Sequence, residues 1–457
     1  MKYDKEILNI ALPSIVTNIT VPLLGIVDVA ITGHIGNSTV AIGAIAVGGL
    51  VFNMVYWLFN FLRMGSSGLT AQAYGRGDGE GQRRVLGMGI KVAVVCGLSI
   101  ICLQRPLEWM AHWIIAPSDE VWELAVQYFR IRVWAAPAVL MLFTLNGWFI
   151  GMQNSRYPLY IAVGQNLINI VVSYALVFHY DMGVQGVAIG TVVAQYLGLL
   201  AAIELSTYLS TNIVDNAISE GYEQGNVDKS GEKLTSYQQF FTVNRDIFFR
   251  MICLIAVTTA FTSYGSHLGD TLLAVNTLLL QLFTLFSYFS DGFAAAGEAI
   301  VGKYFGASQY KNIDKIVKRL FLWGAGVVVL FTAIYSLGGL PFLRLLSDEE
   351  GVIQASAPYL PWAIGIPVCG IAAFMWDGVF IGLTATRQMF FSLLVGALVF
   401  FGLYEGISAL LIAHNGANGV SVGTLNHVLW GAFLAYLVVR GVYLSVAYLS
   451  HAHSKRG

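Results

Sequence analysis

The chain has 457 residues, 56% of them apolar and only 11% charged, and a net charge of −1 at pH 7. Soluble globular chains carry about 25% charged residues. This composition, with a mean hydropathy of +0.68, excludes a soluble fold and describes a polytopic membrane protein. A charge so near zero offers no basic face for nucleic acid. Cys96, Cys102, Cys253 and Cys369 lack metal or redox spacing and the eight histidines form no HExxH-type pair, so neither a metal site nor a cofactor is expected.

In chain order, MKYDKE leads into a long span without a cleavage site, so the first helix is expected to be retained. Ile7 to His34 is long enough to cross a bilayer yet contains Pro13, Pro22 and Asp28. An aspartate in the hydrocarbon layer costs about 2.5–3.5 kcal/mol and faces a protein interior or a watery cavity. Burial disfavours the charged form of a carboxyl, which makes Asp28 a candidate for reversible protonation, against the plainer reading of an acid near the outer interface. The prolines remove backbone hydrogen bonds and favour a bend.

Twelve spans are predicted, near 8–33, 40–64, 86–106, 126–150, 157–180, 185–208, 241–266, 271–300, 319–341, 358–382, 389–412 and 420–448. Arg76, Arg83 and Arg84 follow the second span, and Lys303, Lys311, Lys315, Lys318 and Arg319 follow the eighth. Arg156 and Arg387 follow the fourth and tenth. The alternate loops, Pro117–Glu123 and Ser347–Glu350, are acidic. By the positive-inside rule both termini are cytoplasmic, in a cell (inner) membrane. Ser210–Asp246, polar and acidic, reads as an interlobe linker.

An internal repeat organises the rest. HIGNSTVAIGAIAV (from His34) matches HLGDTLLAVNTLLL (from His267), and TAQAYGRGDGE (from Thr70) matches VGKYFGASQYK (from Val301). NGWFIGMQNSRYP (from Asn146) matches DGVFIGLTATRQM (from Asp377), and GVQGVAIGTV (from Gly183) matches GANGVSVGTL (from Gly416). Four ordered pairs at nearly constant offset indicate a duplication. Six spans separate equivalent points, so the halves insert in the same direction. The expected fold is all-α: two parallel six-helix lobes related by a pseudo-two-fold axis along the membrane normal, with a cavity near mid-membrane. The expected division is 1–208 for the first lobe, 209–240 for a cytoplasmic linker and 241–457 for the second lobe.

ALPSIVTNITVPLLGIVDVAITGHIG, FNFLRMGSSGLTAQAYG, NGWFIGMQNSRYPLY and DGVFIGLTATR resemble the multidrug and toxic compound extrusion (MATE) transporters of the DinF branch, over essentially the whole chain. The resemblance implies a cation-coupled antiporter that exports amphipathic, often cationic compounds. It also implies that a first-helix proline and aspartate, matched by Pro13 and Asp28, couple protonation to bending, and it matches Asn169 to an asparagine of the fifth helix. Where the family commonly has an aspartate one turn later, this chain has Ser173. That leaves Asp28 as the one obvious carboxylate inside the first lobe and favours a proton over sodium, which needs several oxygen ligands.

Other polar residues in the spans are candidates of lower rank. Asn18, Asn166, Asn169, Ser173, Asp377 and Glu405 are candidates for cavity or substrate contact, although most such side chains simply bond neighbouring helices. Glu204 reads as an interfacial anchor. Asp291 and Glu298, seven apart, share one face of the eighth span. With Arg63 on the second span they form a candidate gate across the lobes, against the plainer reading that each reaches separately to the membrane surface. Aromatic and methionine residues suit cationic drugs but mostly pack. The expected partners are the lipid bilayer and small amphipathic substrates, with the chain acting as a monomer. Competing readings are a flippase for lipids or lipid-linked glycans, disfavoured by the scarcity of Lys and Arg inside the spans, and a membrane enzyme, for which no nucleophile and base stand together.

Overall fold

The computed structural model describes residues 2–33, 38–115, 118–219, 237–347, 349–416 and 419–454. The start of the repeat at His34, most of the linker, and residues 117, 348, 417 and 418 of the segments discussed above lie outside them. The described residues form helices without strands. In the first half these are α1 (Lys2–Thr32), α2 (Ser38–Leu58), α3 (Phe61–Gly75), α4 (Gly79–Cys102), α5 (Gln104–Ile115), α6 (Asp119–Arg132), α7 (Ala136–Gly151), α8 (Arg156–Phe178) and α9 (Gly183–Ser219). The second half contains α10 (Tyr237–His267), α11 (Asp270–Gly306), α12 (Tyr310–Leu346), α13 (Glu350–Ser356), α14 (Leu360–Gly382), α15 (Thr386–Asn415) and α16 (Val422–Ser454). Among the described residues eleven segments are long and apolar enough to cross a membrane; the 31-residue α1, which holds the first predicted span, is not one of the eleven. The second span is α2 followed by α3, and the fourth runs from Asp119 to Gly151.

Helix ends outrun the predicted boundaries, because hydropathy marks where lipid stops rather than where backbone hydrogen bonding stops. α9 continues to Ser219, past the expected lobe boundary at 208, through a stretch without Pro or Gly, and α10 starts at Tyr237. Residues 209–219 and 237–240 of the expected linker are therefore helical.

The duplication is visible in the backbone. Left-handed residues recur at equivalent turns of the two halves: Gly77 and Ser308, Gln153 and Thr384, Gly183 and Gly416. Three of these turns use side-chain-bearing residues in a region that glycine adopts most easily.

The halves meet chiefly where α11 packs against α1 and α3, and where α3 packs against α10 and α14. A Cβ on Gly75 would strike the Lys303 carbonyl oxygen, and one on Gly306 would strike that of Gln72. Glycine is required here because two backbones touch. Gln72 Nε2 donates across the seam to the Gly382 carbonyl at 2.8 Å, and Gln153 Nε2 to that of Ala299 at 2.8 Å. The seam is tight at the membrane end that carries Arg76 and Lys303. α2, which continues the same span toward the other end, is not among the helices packed extensively on α11. The extensive contacts between the halves thus run through α1, α3 and α11, and α2 reaches the second half through α10.

Candidate functional site

The site begins with α1. Pro13 has no N–H, so the Asn9 carbonyl one turn earlier loses its helical partner. Ser155 Oγ, in the turn before α8, donates to that carbonyl at 3.2 Å. Further along, Asn166 Nδ2 donates to the Thr20 carbonyl at 2.8 Å, and Asn18 Nδ2 to the Tyr288 carbonyl on α11 at 3.1 Å. The first turn is tied to the second half by Lys303–Glu6 at 3.6 Å and by Trp323 Nε1 donating to Asp4 at 3.3 Å. α1 therefore spans both halves, and side chains rather than its own backbone satisfy the defect at its proline. The structure keeps α1 helical through Pro13 and Pro22.

Near its far end Asp28 is 4% exposed, and its Oδ1 has no hydrogen-bond partner among the described residues. Arg132, at the end of α6, is the opposite charge within electrostatic range. Its guanidinium donates to the Tyr128 hydroxyl and lies over the Phe52 and Tyr128 rings, 5.2 and 5.3 Å from their centroids. Half-buried Tyr56 adds a buried hydroxyl without a described partner. Asn169 and Ser173 are fully buried between α8 and α9, where Asn169 Nδ2 donates to Thr191 Oγ1 at 3.0 Å. In this conformation these two residues pack and do not line an open cavity.

A second cluster joins the halves. Asp377 Oδ2 on α14 accepts from Arg250 on α10 and from Arg440 Nη2 on α16, the latter at 2.9 Å. All three residues are buried. Arg250 Nη1 also reaches Met64 Sδ on α3 at 3.7 Å, and Arg440 Nη1 donates to the Tyr436 hydroxyl at 3.2 Å. Arg63 Nη1 stands 3.6 Å from Glu298 Oε2, with Glu298 1% exposed. Asp291, two turns nearer the start of α11 than Glu298, is exposed, with Arg63, Asp377, Arg250 and Glu298 as its charged neighbours. Glu405 lies apart, exposed on α15, accepting from the Tyr264 hydroxyl at 2.6 Å. Glu204 is exposed near the end of its span.

A single family description, MatE, matches the chain in two segments, residues 13–175 and 247–404, one in each half. The chain belongs to the MatE family. Among relatives of this MATE protein, DNA damage-inducible protein F of Escherichia coli is 34% identical over 98% of this chain and 92% of its own length. A probable multidrug resistance protein NorM of Photorhabdus laumondii is 22% identical over 86% of the chain and 84% of its own. Crystal structures of MATE in the bent conformation (TM-score 0.82, 16% identity, covering 100% of this chain and 97% of that one) and of an outward-facing multidrug resistance MATE family transporter (0.80, 16%, 98% and 96%) share the fold.

One expectation is revised by the geometry. The interior of this MATE chain is not poor in arginine, since Arg63, Arg132, Arg250 and Arg440 all lie on membrane helices. Hydropathy hid them because each is diluted by a strongly apolar window. The first half also buries a carboxylate outside its candidate membrane spans. Glu108, on α5, is 7% exposed and accepts from Arg130 at 2.9 and 3.1 Å. Applied to Arg132, the rule that singled out Asp28 would have found the pair. Nothing in the sequence signals the role of Ser155.

Proposed function

We propose that the chain is a proton-coupled antiporter that exports amphipathic, often cationic compounds from the cytoplasm across the inner membrane by alternating access, with both termini cytoplasmic. Membership of the MATE family and the multidrug relatives support export. The observation that carries the coupling is Asp28, buried on a proline-bearing helix and lacking a hydrogen bond to its Oδ1 among the described residues. Taking up a proton there changes the charge beside Arg132 and so the forces that hold α1 against α8 and α11. Protonation from outside would favour a bent α1 and a smaller first-lobe cavity, releasing cargo; deprotonation toward the cytoplasm would restore it. The cargo must bind the two states with different affinity for any coupling to follow.

The flippase reading requires a strongly basic interior for an anionic head group. The interior arginines Arg63, Arg132, Arg250 and Arg440 share the membrane helices with Asp28, Asp291, Glu298 and Asp377, so the net positive charge among them is at most one even when Asp28 holds its proton and the other three acids are ionised. Transport in vesicles separates the coupling ions. A pH gradient without sodium is expected to drive uptake of a cationic dye into inverted vesicles, and a sodium gradient at constant pH is not. Drive by sodium alone would replace the proton.

In this scheme Arg63 and Glu298 latch the cytoplasmic side while the cavity faces out. Arg63→Glu and Glu298→Arg are each expected to slow transport, and the double reversal to recover most of the loss. A double-mutant cycle should return about 0.5–3 kcal/mol of coupling. Additive losses would show that the two residues act separately.

A further inference from the structure

A cavity of about 660 Å³ opens at the basic end of the second half, between the first turns of α10 and the turn that joins α14 to α15. Arg245, Arg387, Gln388 and Thr384 line it. Its one carboxylate, Asp246, is 8% exposed, and both oxygens are engaged: Oδ1 by Arg245 at 2.9 Å and Oδ2 by Thr386 Oγ1 at 3.2 Å. Arg387 is exposed. α15, 30 residues long, begins at Thr386, and its cap residue Ala385 makes no side-chain cap, so the helix presents N-terminal amides at the same wall. Arg245 and Asp246 form an ion pair, so the opening keeps a net positive charge from Arg387 beside the backbone donors.

The cavity continues into an apolar stripe. On α10, Gln238, Phe241, Arg245, Phe249 and Ile252 recur at spacings of three and four and share one helical face. Gln238 and Arg245 border the cavity, whereas Phe241, Phe249 and Ile252 are 54%, 47% and 42% exposed along the membrane-crossing length. Phe390, from the first turns of α15, lies 6.2 Å from Phe249, and the Arg387 guanidinium sits over the Phe391 ring. Along α10 the head site is thus followed by exposed Phe249 and Ile252, with Phe390 of α15 beside Phe249.

We infer that this cavity holds the phosphate head group of an anionic phospholipid from the leaflet at the basic end, with its acyl chains laid along the Phe249–Ile252 face of α10. Basic pockets between membrane helices on the positive side take such head groups. The inference is independent of the transported cargo and of the coupling ion. A free phosphate shares the head-group chemistry but leaves the aromatic face uncovered, and the acidic linker that precedes Tyr237 lacks the acyl chains.

The test is native mass spectrometry of the full-length protein released from micelles doped with phosphatidylglycerol or phosphatidylcholine. Wild type is expected to retain phosphatidylglycerol in preference. Arg387→Gln or Arg245→Gln should lower retention about fivefold each, and the pair about twentyfold or more. Both side chains are exposed, and Asp246 keeps the Thr386 hydroxyl as a donor when Arg245 is replaced, so these variants are expected to fold. Arg344→Gln, at the opposite end of α12, should leave retention unchanged. Millimolar inorganic phosphate should not displace the lipid. Equal retention of the two lipids, indifference to the arginine pair, or displacement by phosphate alone would each overturn the assignment. Phosphatidylglycerol retention that rises when residues 220–236 are deleted, yet ignores the arginines, would give the cavity to the linker instead.

Discussion

Asp28→Asn is expected to abolish cargo-triggered proton release from proteoliposomes and to flatten the pH dependence of cargo affinity. Asparagine keeps the shape of the side chain and removes the exchangeable proton, so α1 should fold as before. Its contacts through Ser155, Asn166 and Asn18 do not involve the carboxyl. Coupling between two ligands is typically worth about 1–3 kcal/mol, so wild-type cargo affinity should change about 5–150-fold between the protonated and deprotonated limits. The variant should bind cargo with one affinity throughout. Arg132→Met is the informative companion. It removes the charge beside Asp28 while retaining an apolar contact with Phe52, and should move the midpoint of the pH dependence without abolishing it. Unimpaired proton release in Asp28→Asn would remove Asp28 from the mechanism and leave the fold untouched.

The sequence made Asp28 conspicuous for a simple reason. A lone acid in an apolar helix stands out against its window, and a proline in the same helix stands out against helix propensity. The repeat was equally legible, because fixed glycines mark backbone contacts that tolerate no side chain, as at Gly75 and Gly306. Relations between distant segments were not legible. Nothing near Asn9 announces that Ser155, 146 residues away, will satisfy its carbonyl. Asp377 reads as one acid in one span, yet its meaning comes from Arg250 and Arg440 on two other helices. Charge inside a membrane protein is a property of a cluster, and periodicity within one helix carries no information about which clusters form.

That cluster supplies the other large expected effect. Asp377→Leu leaves two guanidinium groups buried around a vanished counter-charge, and breaking a buried pair in this way costs about 3–5 kcal/mol. Thermal unfolding of the purified variant should shift down accordingly, or expression should fail. Replacing the whole set, Arg250→Met with Asp377→Leu and Arg440→Met, exchanges a polar cluster for apolar side chains of similar length, which is often neutral or stabilising by about 1–4 kcal/mol. The triple variant should therefore regain the stability that the single variant loses. Transport is expected to remain impaired in it. Arg250 also touches Met64 on the opposite half and, with Arg63 and Glu298, sets the charge at the seam that must open and reclose. An apolar plug there favours the sealed arrangement, since nothing in it gains from water when the halves part. A stable triple variant that transports at the parental rate would assign the cluster to stability alone and leave the gate to Arg63 and Glu298.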